Sequence, residues 1–233
     1  MGGDGIGVIV ARLPQFLEAT LVNLYMFAAL IPIGFVVGIG VALAQVYGRR
    51  PLVVITLVWE WIFRGVPALV LLFLFFYGLG RFGVEVSAFM AGALAMGFRS
   101  SGYQSQIFRG AIQAVPRGQV TAARALGMTR FQAMRTIVLP QALRLAIPAW
   151  SNEFSSVLKD TTLIYAIGIN DVMRYARTVY VSHAELAIIT FLTVAFIFWA
   201  LTSLGNAGLR ALERYFAVPG FEASDRPSAP TGK

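Results

Sequence analysis

The stretch Ala114-Val-Pro-Arg-Gly-Gln-Val-Thr-Ala-Ala-Arg-Ala-Leu-Gly-Met-Thr-Arg-Phe-Gln-Ala-Met-Arg-Thr-Ile-Val-Leu-Pro140 separates two long apolar runs and holds the densest local information in the chain. Gln119 to Leu126 is alanine-rich and helix-forming, and Gly127 supplies a C-terminal stop. Thr129 followed by Gln132 is a Thr-x-x-Gln capping box, which starts a second helix. The spacing therefore predicts two short helices meeting at a glycine corner. Ala122, Ala123 and Ala125 give a thin, low-relief surface, while Leu126, Met128, Phe131 and Met134 supply an apolar face. Taken by themselves these residues suit a loop helix lying on lipid headgroups.

Outward from this segment the chain is unusually apolar. Of its 233 residues 58% are hydrophobic and 13% charged, and its mean hydropathy is +0.72. Soluble domains carry roughly 25% charged residues, and a soluble core could not absorb this much apolar surface. A membrane helix needs about 20 mainly apolar residues, and five such runs are present. They are 20–46, 52–79, 86–112, 140–169 and 186–209. Basic residues are retained on the cytoplasmic side of a membrane, so their placement sets the orientation. Arg49, Arg50, Arg109, Arg117, Arg124, Arg130, Arg135, Arg144, Arg210, Arg214, Arg226 and Lys233 fall on one side if the runs alternate. Arg12, Arg81, Arg174 and Arg177 fall on the other, which places the N-terminus outside and the C-terminus in the cytoplasm. The net charge of +8 is mostly this sorting signal, and nucleic acid is not the expected partner.

The expected fold is an all-α membrane protein of one domain, 1–221, followed by a disordered cytoplasmic tail, 222–233, rich in Pro, Ser and Gly. Asp4 occupies what would be a basic n-region, so no cleaved signal peptide is expected. The chain has no cysteine and one histidine, His183. Disulfides, thiolate metal sites and cysteine nucleophiles are thereby excluded, and His183 lacks partners at ligand spacing.

The motif Thr121-Ala122-Ala123, then Gly127, then Ile137-Val138-Leu139-Pro140 resembles the "EAA" signature of permease subunits of ATP-binding-cassette importers, with Thr121 where the family usually has Glu. Further stretches resemble the polar amino acid branch. They are Phe63-Arg64-Gly65-Val66-Pro67, Tyr77-Gly78-Leu79, Gly102-Tyr103-Gln104-Ser105-Gln106-Ile107-Phe108-Arg109-Gly110, Leu139-Pro140-Gln141-Ala142-Leu143-Arg144, Asn152-Glu153-Phe154 and Leu158-Lys159-Asp160-Thr161-Thr162-Leu163. Gln106 stands where that branch usually has Glu. The resemblance implies a type I importer permease fold with five transmembrane helices and a cytoplasmic coupling helix pair at 117–135. It also implies that Thr121, Ala122, Ala123, Arg124, Leu126, Gly127 and Met128 form the coupling knob that sits in a groove of a cytoplasmic ATPase subunit. The implied setting is multi-pass in a prokaryotic inner membrane. The implied partners are ABC ATPase subunits that bind ATP and Mg, an extracytoplasmic solute-binding protein, and a second permease copy or paralogue forming a homodimer or heterodimer.

Charges inside apolar runs cost about 2.5–3.5 kcal/mol each on insertion scales and should face the protein interior. Glu60, Arg64, Arg99, Glu153, Lys159 and Asp160 are such residues. Glu153 and Asp160 are seven positions apart, so both project from one helix face, with Asn152 and Lys159 on the adjacent stripe. These could line a wall for a cationic or zwitterionic guest, or a carboxylate could pair with Arg99 or Lys159 and simply hold helices together. The resemblance favours a pathway for a polar amino acid, with Asn152, Glu153, Lys159, Asp160, Arg99, Arg64 and Tyr103 along it. Pro67 and Pro148 are expected to break or kink their helices. Gly34, Gly38 and Ala42 form a small-residue row for close helix approach, by packing or dimer contact. Trp59, Trp61, Tyr77, Tyr103 and Trp150 are expected as interfacial anchors. No Gly-x-x-x-x-Gly-Lys-Ser/Thr loop is present, so the expected role is a transport subunit without its own ATPase site, metal or cofactor. An ion-coupled carrier or channel, using the intramembrane carboxylates as proton or cation sites, is the alternative.

Overall fold

The computed structural model describes residues 3–216, so the tail at 222–233 lies outside the described residues. Among these every regular element is helical. The first helix, α1, runs over Gly3–Tyr47, so the apolar run at 20–46 is the second part of a longer rod. At 1.5 Å per residue it extends about 67 Å, roughly twice a bilayer core. Its N-terminal half is covered by residues 172–198: Ile9 and Phe16 are buried with Val172, Ala176, Val179, Val194, Ile197 and Phe198.

α2 (Arg50–Gly65) begins with a proline in its first turn, where a missing N–H costs nothing. It ends before Pro67, and Val66 adopts the extended backbone that a following proline imposes. α3 (Ala68–Phe73), a π-turn at Leu74–Gly78 and the single turn α4 (Leu79–Arg81) then continue at 106° to α2. The expected second span is thus a sharply bent pair, and the disruption expected at Pro67 is present.

α5 (Ala88–Ala114) is capped by Ser87, whose hydroxyl accepts from the Met90 amide at 3.2 Å. It packs along α1, where the small row acts within one chain. A Cβ on Gly38 would lie 2.9 Å from the Cβ of Gln104, and one on Gly34 would lie 2.6 Å from its Nε2. Ala42 is fully buried against Phe108, Ala111 and Ile112.

α6 (Arg117–Ala125) precedes the glycine corner. α7 (Arg130–Ala133), a π-turn at Met134–Val138 and α8 (Leu139–Asp160) follow without interruption. The second of the two short helices is therefore the leading end of a longer rod. Pro140 lies in the first turn of α8, into which the π-turn runs directly. The π-turn widens the backbone ahead of it, with the Leu139 amide bonding the Met134 carbonyl five residues back, which gives room to a ring that clashes with a regular turn. α8 also continues through Pro148 without a break.

A 3₁₀ segment, Thr161–Ile167, ends at Gly168, whose φ of +88° suits only glycine well. α9 (Val172–Ser182), a 3₁₀ turn at Ala184–Leu186 and α10 (Ala187–Phe216) complete the fold. Two helices, Gly5–Tyr47 and Ala184–Phe216, are long and apolar enough to cross a membrane, or three spans exist if the bent pair counts as one. α5 and α8 fall short of that mark because their buried faces carry Arg99, Glu153 and Asp160 and a run of serines and glutamines.

Three of the expected interfacial anchors point inward instead. Trp59 Nε1 donates to Ser101 Oγ at 3.0 Å and packs on Phe63 and Phe98, and Trp150 Nε1 donates to Gln104 Oε1 at 2.9 Å. Tyr103 lies under two arginines. Indole N–H groups seek buried acceptors as readily as they seek an interface, and α5 supplies them. Trp61 and Tyr77 remain exposed.

Candidate functional site

α2, α5 and α8 bring five of the seven expected pathway residues together. Arg99 Nη1 donates to Asp160 Oδ2 at 2.7 Å, joining the middle of α5 to the last residue of α8. Close by on the same two helices, Ser100 Oγ donates to Glu153 Oε1 at 2.8 Å. The seven-residue spacing thus does present Glu153 and Asp160 to the same neighbour. Arg64 and Arg99 converge on one ring, their guanidinium carbons lying 5.2 and 5.0 Å from the centroid of Tyr103, within cation–π range. Gly102 makes the approach possible, since a Cβ there would lie 3.0 Å from the Arg64 Cγ. Asn152 and Lys159 are not part of this cluster; both are exposed on the neighbouring stripe of α8.

Behind Arg64 lies a polar chain that the expected set did not include. Glu60 is buried, and its Oε1 accepts from Arg64 Nη1 at 3.1 Å while its Oε2 accepts from Gln45 Nε2 at 2.8 Å. Gln45 Oε1 in turn accepts from Arg109 Nη1 at 3.0 Å, and Arg109 Nη2 donates to Gln106 Oε1 at 2.7 Å. Gln104 is a further structural centre outside the expected set. Its Nε2 donates to Ser100 Oγ at 3.0 Å and its Oε1 accepts from Trp150. The signal was available: Arg99-Ser100-Ser101-Gly102-Tyr103-Gln104-Ser105-Gln106 is too polar for a lipid-facing helix and has to be satisfied internally. Among the described residues no group of His, Cys, Asp and Glu is arranged to hold a metal.

The second cluster is the corner between α6 and α7. Gly127 has φ +85°; its amide bonds the Arg124 carbonyl at 3.1 Å and the Met128 amide bonds the Ala123 carbonyl at 3.1 Å, a Schellman closure. Thr129 and Gln132 form the expected capping box, with bonds of 3.2 and 2.8 Å. Thr121, Ala122, Arg124 and Ala125 are exposed, and Leu126 and Phe131 are 82% and 63% exposed. Met128 and Met134 are half-buried, and Ala123 is buried, so Ala123 supports the corner from inside and is not part of its outer surface. The corner therefore combines rigid backbone closure with a protruding apolar tip.

A family of transport proteins described as binding-protein-dependent transport system inner membrane components matches residues 32–218. The chain belongs to this family. This permease is 31% identical over 208 residues to the arginine transport system permease protein ArtQ of Bacillus subtilis, covering 88% of this chain and 95% of that one. It is 33% identical over 181 residues to the L-cystine transport system permease protein TcyB of the same organism, covering 78% and 77%. Among solved structures, a chain of an amino acid ABC transporter determined with histidines superposes with a TM-score of 0.80 at 33% identity, covering 89% of this chain and 97% of that chain.

Proposed function

We propose that this chain is the membrane-spanning permease subunit of an ATP-binding-cassette importer, moving a polar amino acid delivered by a solute-binding protein. The observation that carries this reading is the likeness, over nearly its whole length, to a chain of a solved amino acid ABC transporter. In this reading the five apolar runs all cross the membrane, with the N-terminus outside, the C-terminus cytoplasmic and residues 1–221 acting as one domain. α2 and α3–α4 form one bent span, and the polar faces of α5 and α8 are turned from lipid toward the protein interior. Arg64, Arg99, Tyr103, Glu153 and Asp160 line the pathway, with Asn152 and Lys159 of α8 facing a second permease copy or paralogue across it.

ATP and Mg are held by a separate cytoplasmic ATPase subunit. The corner around Gly127, with Thr121, Ala122, Arg124, Leu126 and Met128, docks in that subunit and transmits its closure to the bundle. The continuous rod from Arg130 to Asp160 supports such a role, because a push at the corner is delivered without a hinge to the residue that clasps Arg99. The ion-coupled carrier considered from the sequence has no comparable support in family membership. The test is Gly127→Arg in proteoliposomes containing the ATPase subunit of the same system. Import and substrate-stimulated ATP hydrolysis are expected to be lost while membrane insertion is retained; unchanged coupling contradicts the assignment.

A further inference from the structure

A cleft of about 430 Å³ lies on the flank of the α6–α7 corner, where the end of α1 meets α6 and the π-turn that leads into α8. Val120, Met134 and Val138 give it an apolar lining, while Arg124 and Arg130 give it a cationic one. Tyr47, the last residue of α1, borders it as well. Both arginines are exposed, and among the described residues neither makes an ion pair. Arg124 donates from Nη1 to the Met128 carbonyl at 2.9 Å, which uses one of the five N–H donors of a guanidinium. The neighbouring sequence supplies no counter-charge. Every residue lining the cleft comes from one of two stretches, between Glu18 and Glu60 or between Glu85 and Glu153, and neither stretch contains an aspartate or a glutamate.

We infer that this cleft binds an acidic phospholipid of the cytoplasmic leaflet, with the lipid phosphate on Arg124 and Arg130 and the first methylenes of its acyl chains on Val120, Met134 and Val138. The position of the cleft favours a lipid. Tyr47 closes the apolar run at 20–46 and is followed at once by Arg49 and Arg50, so the cleft opens at the depth of the headgroups, where a tyrosine ring is at home. Basic pockets beside span ends on the cytoplasmic side suit acidic headgroups, and arginine matches a phosphate with two parallel donors. A free anion would satisfy the arginines and leave the apolar lining unused. An acidic protein segment would match the charge, but it would have to enter beside a span end and away from the protruding tip at Leu126 and Phe131, which does not line the cleft. A lipid held there joins the corner to the end of α1 through the inner leaflet. The inference rests on the importer reading only for which end of α1 meets the cytoplasm.

The test titrates the purified complex of permease and ATPase subunit, in detergent, with phosphatidylglycerol or phosphatidylcholine and counts bound lipid by native mass spectrometry. The wild type is compared with Arg130→Gln, Arg130→Lys and Arg50→Gln; Arg50 is a basic residue of the same membrane face that does not line the cleft. The wild type should bind phosphatidylglycerol at least about tenfold more tightly than phosphatidylcholine, as two basic residues at an acidic headgroup require. Arg130→Gln should weaken phosphatidylglycerol binding about fivefold, the share of one such residue, while Arg130→Lys and Arg50→Gln should each stay within about twofold of the wild type. Equal affinity for the two lipids overturns the inference, and so does equal weakening by Arg130→Gln and Arg50→Gln, which is the mark of diffuse surface charge. Displacement of the lipid by millimolar inorganic phosphate would assign the cleft to a free anion, and loss of the ATPase subunit from Arg130→Gln would assign it to a protein contact; either overturns the lipid site. Failure of ATP-driven uptake would count against the importer reading and leave these lipid affinities as they are.

Discussion

Asp160, the last residue of α8, accepts a 2.7 Å bond from Arg99 in the middle of α5, so the long rod that starts beside the Gly127 corner ends on a charge held by a different helix. The pair is partly exposed, at 21% and 29% of the side chains, so it is neither a surface bridge of little worth nor a fully desolvated one. Asp160→Asn should lower stability in detergent by about 1.5–3 kcal/mol, the range for a hydrogen bond to a charged group. Adding Arg99→Gln should recover most of that loss while import stays below about a tenth of the wild-type rate, because the clasp that ends the rod is gone. If the double variant recovers transport as well as stability, the pair only holds helices together.

The contact between α1 and α5 separates two glycines of one helix. A Cβ on Gly38 meets the Gln104 Cβ at 2.9 Å and the Ser101 carbonyl oxygen at 3.2 Å, whereas one on Gly40 meets nothing within 4 Å. Gly38→Ala should cost about 1–3 kcal/mol through overpacking against groups close to the backbone. Gly40→Ala should be neutral or stabilising by up to about 1 kcal/mol, the ordinary helix preference for alanine. Melting temperatures of the two variants in one detergent check the contrast.

These two cases mark what could be read from residues alone. Thr129, Gln132 and Gly127 act over three or four residues of backbone, and their cap and corner are formed as the spacing requires. The row Gly34, Gly38, Ala42 signals close approach, but only the three-dimensional arrangement shows that its partner is Gln104 of the same chain. The continuity of α7 with α8 was not legible, because Leu139-Pro140 is as compatible with a helix start as with a helix relieved by a preceding π-turn. The inward turn of Trp59 and Trp150 was hidden for a related reason: the apolar and polar demands of an indole are met equally by a membrane interface and by a polar helix face. The site charges were all visible as costly residues in apolar runs. Their partition into Arg99 with Asp160, Arg64 with Glu60, and an unpaired Glu153 depends on which helices touch.

Just past the fourth apolar run, Asp171 ties the start of α9 to Asn23 of α1. Asn23 Nδ2 donates to Asp171 Oδ2 at 3.1 Å, Asn23 Oδ1 accepts from the Val172 amide at 3.2 Å, and Asp171 Oδ1 caps α9 by accepting from the Arg174 amide at 3.0 Å. Burial pushes the Asp171 carboxyl above its ordinary value, although the bonds from Arg174 and Asn23 oppose this. A raised value in the folded state means that the folded protein binds this proton more tightly than the unfolded chain. The stability it contributes is fully present below the ordinary carboxyl value and is lost as pH rises through the raised one. The melting temperature of the wild type minus that of Asp171→Asn should therefore be greater near the ordinary carboxyl value, at about pH 4, than at neutral pH. A difference that grows toward neutral pH refutes this role for Asp171.

At the corner, a Cβ added to Gly127 would meet nothing within 4 Å, so the position is constrained only by its φ of +85°. Gly127→Asn should retain at least about half of import, since asparagine tolerates left-handed backbone, while Gly127→Val should lose most of it. Leu126→Asp leaves the fold unaltered because the side chain is 82% exposed, yet it should abolish co-purification with the ATPase subunit. Retained co-purification would remove Leu126 from the docking surface.

The most direct test of the importer mechanism is uptake of a labelled amino acid into proteoliposomes that carry this permease, the ATPase and the binding protein of the same system. Uptake should depend on ATP and on the binding protein and be indifferent to a protonophore. Uptake that persists without ATP and collapses with the protonophore would contradict the mechanism.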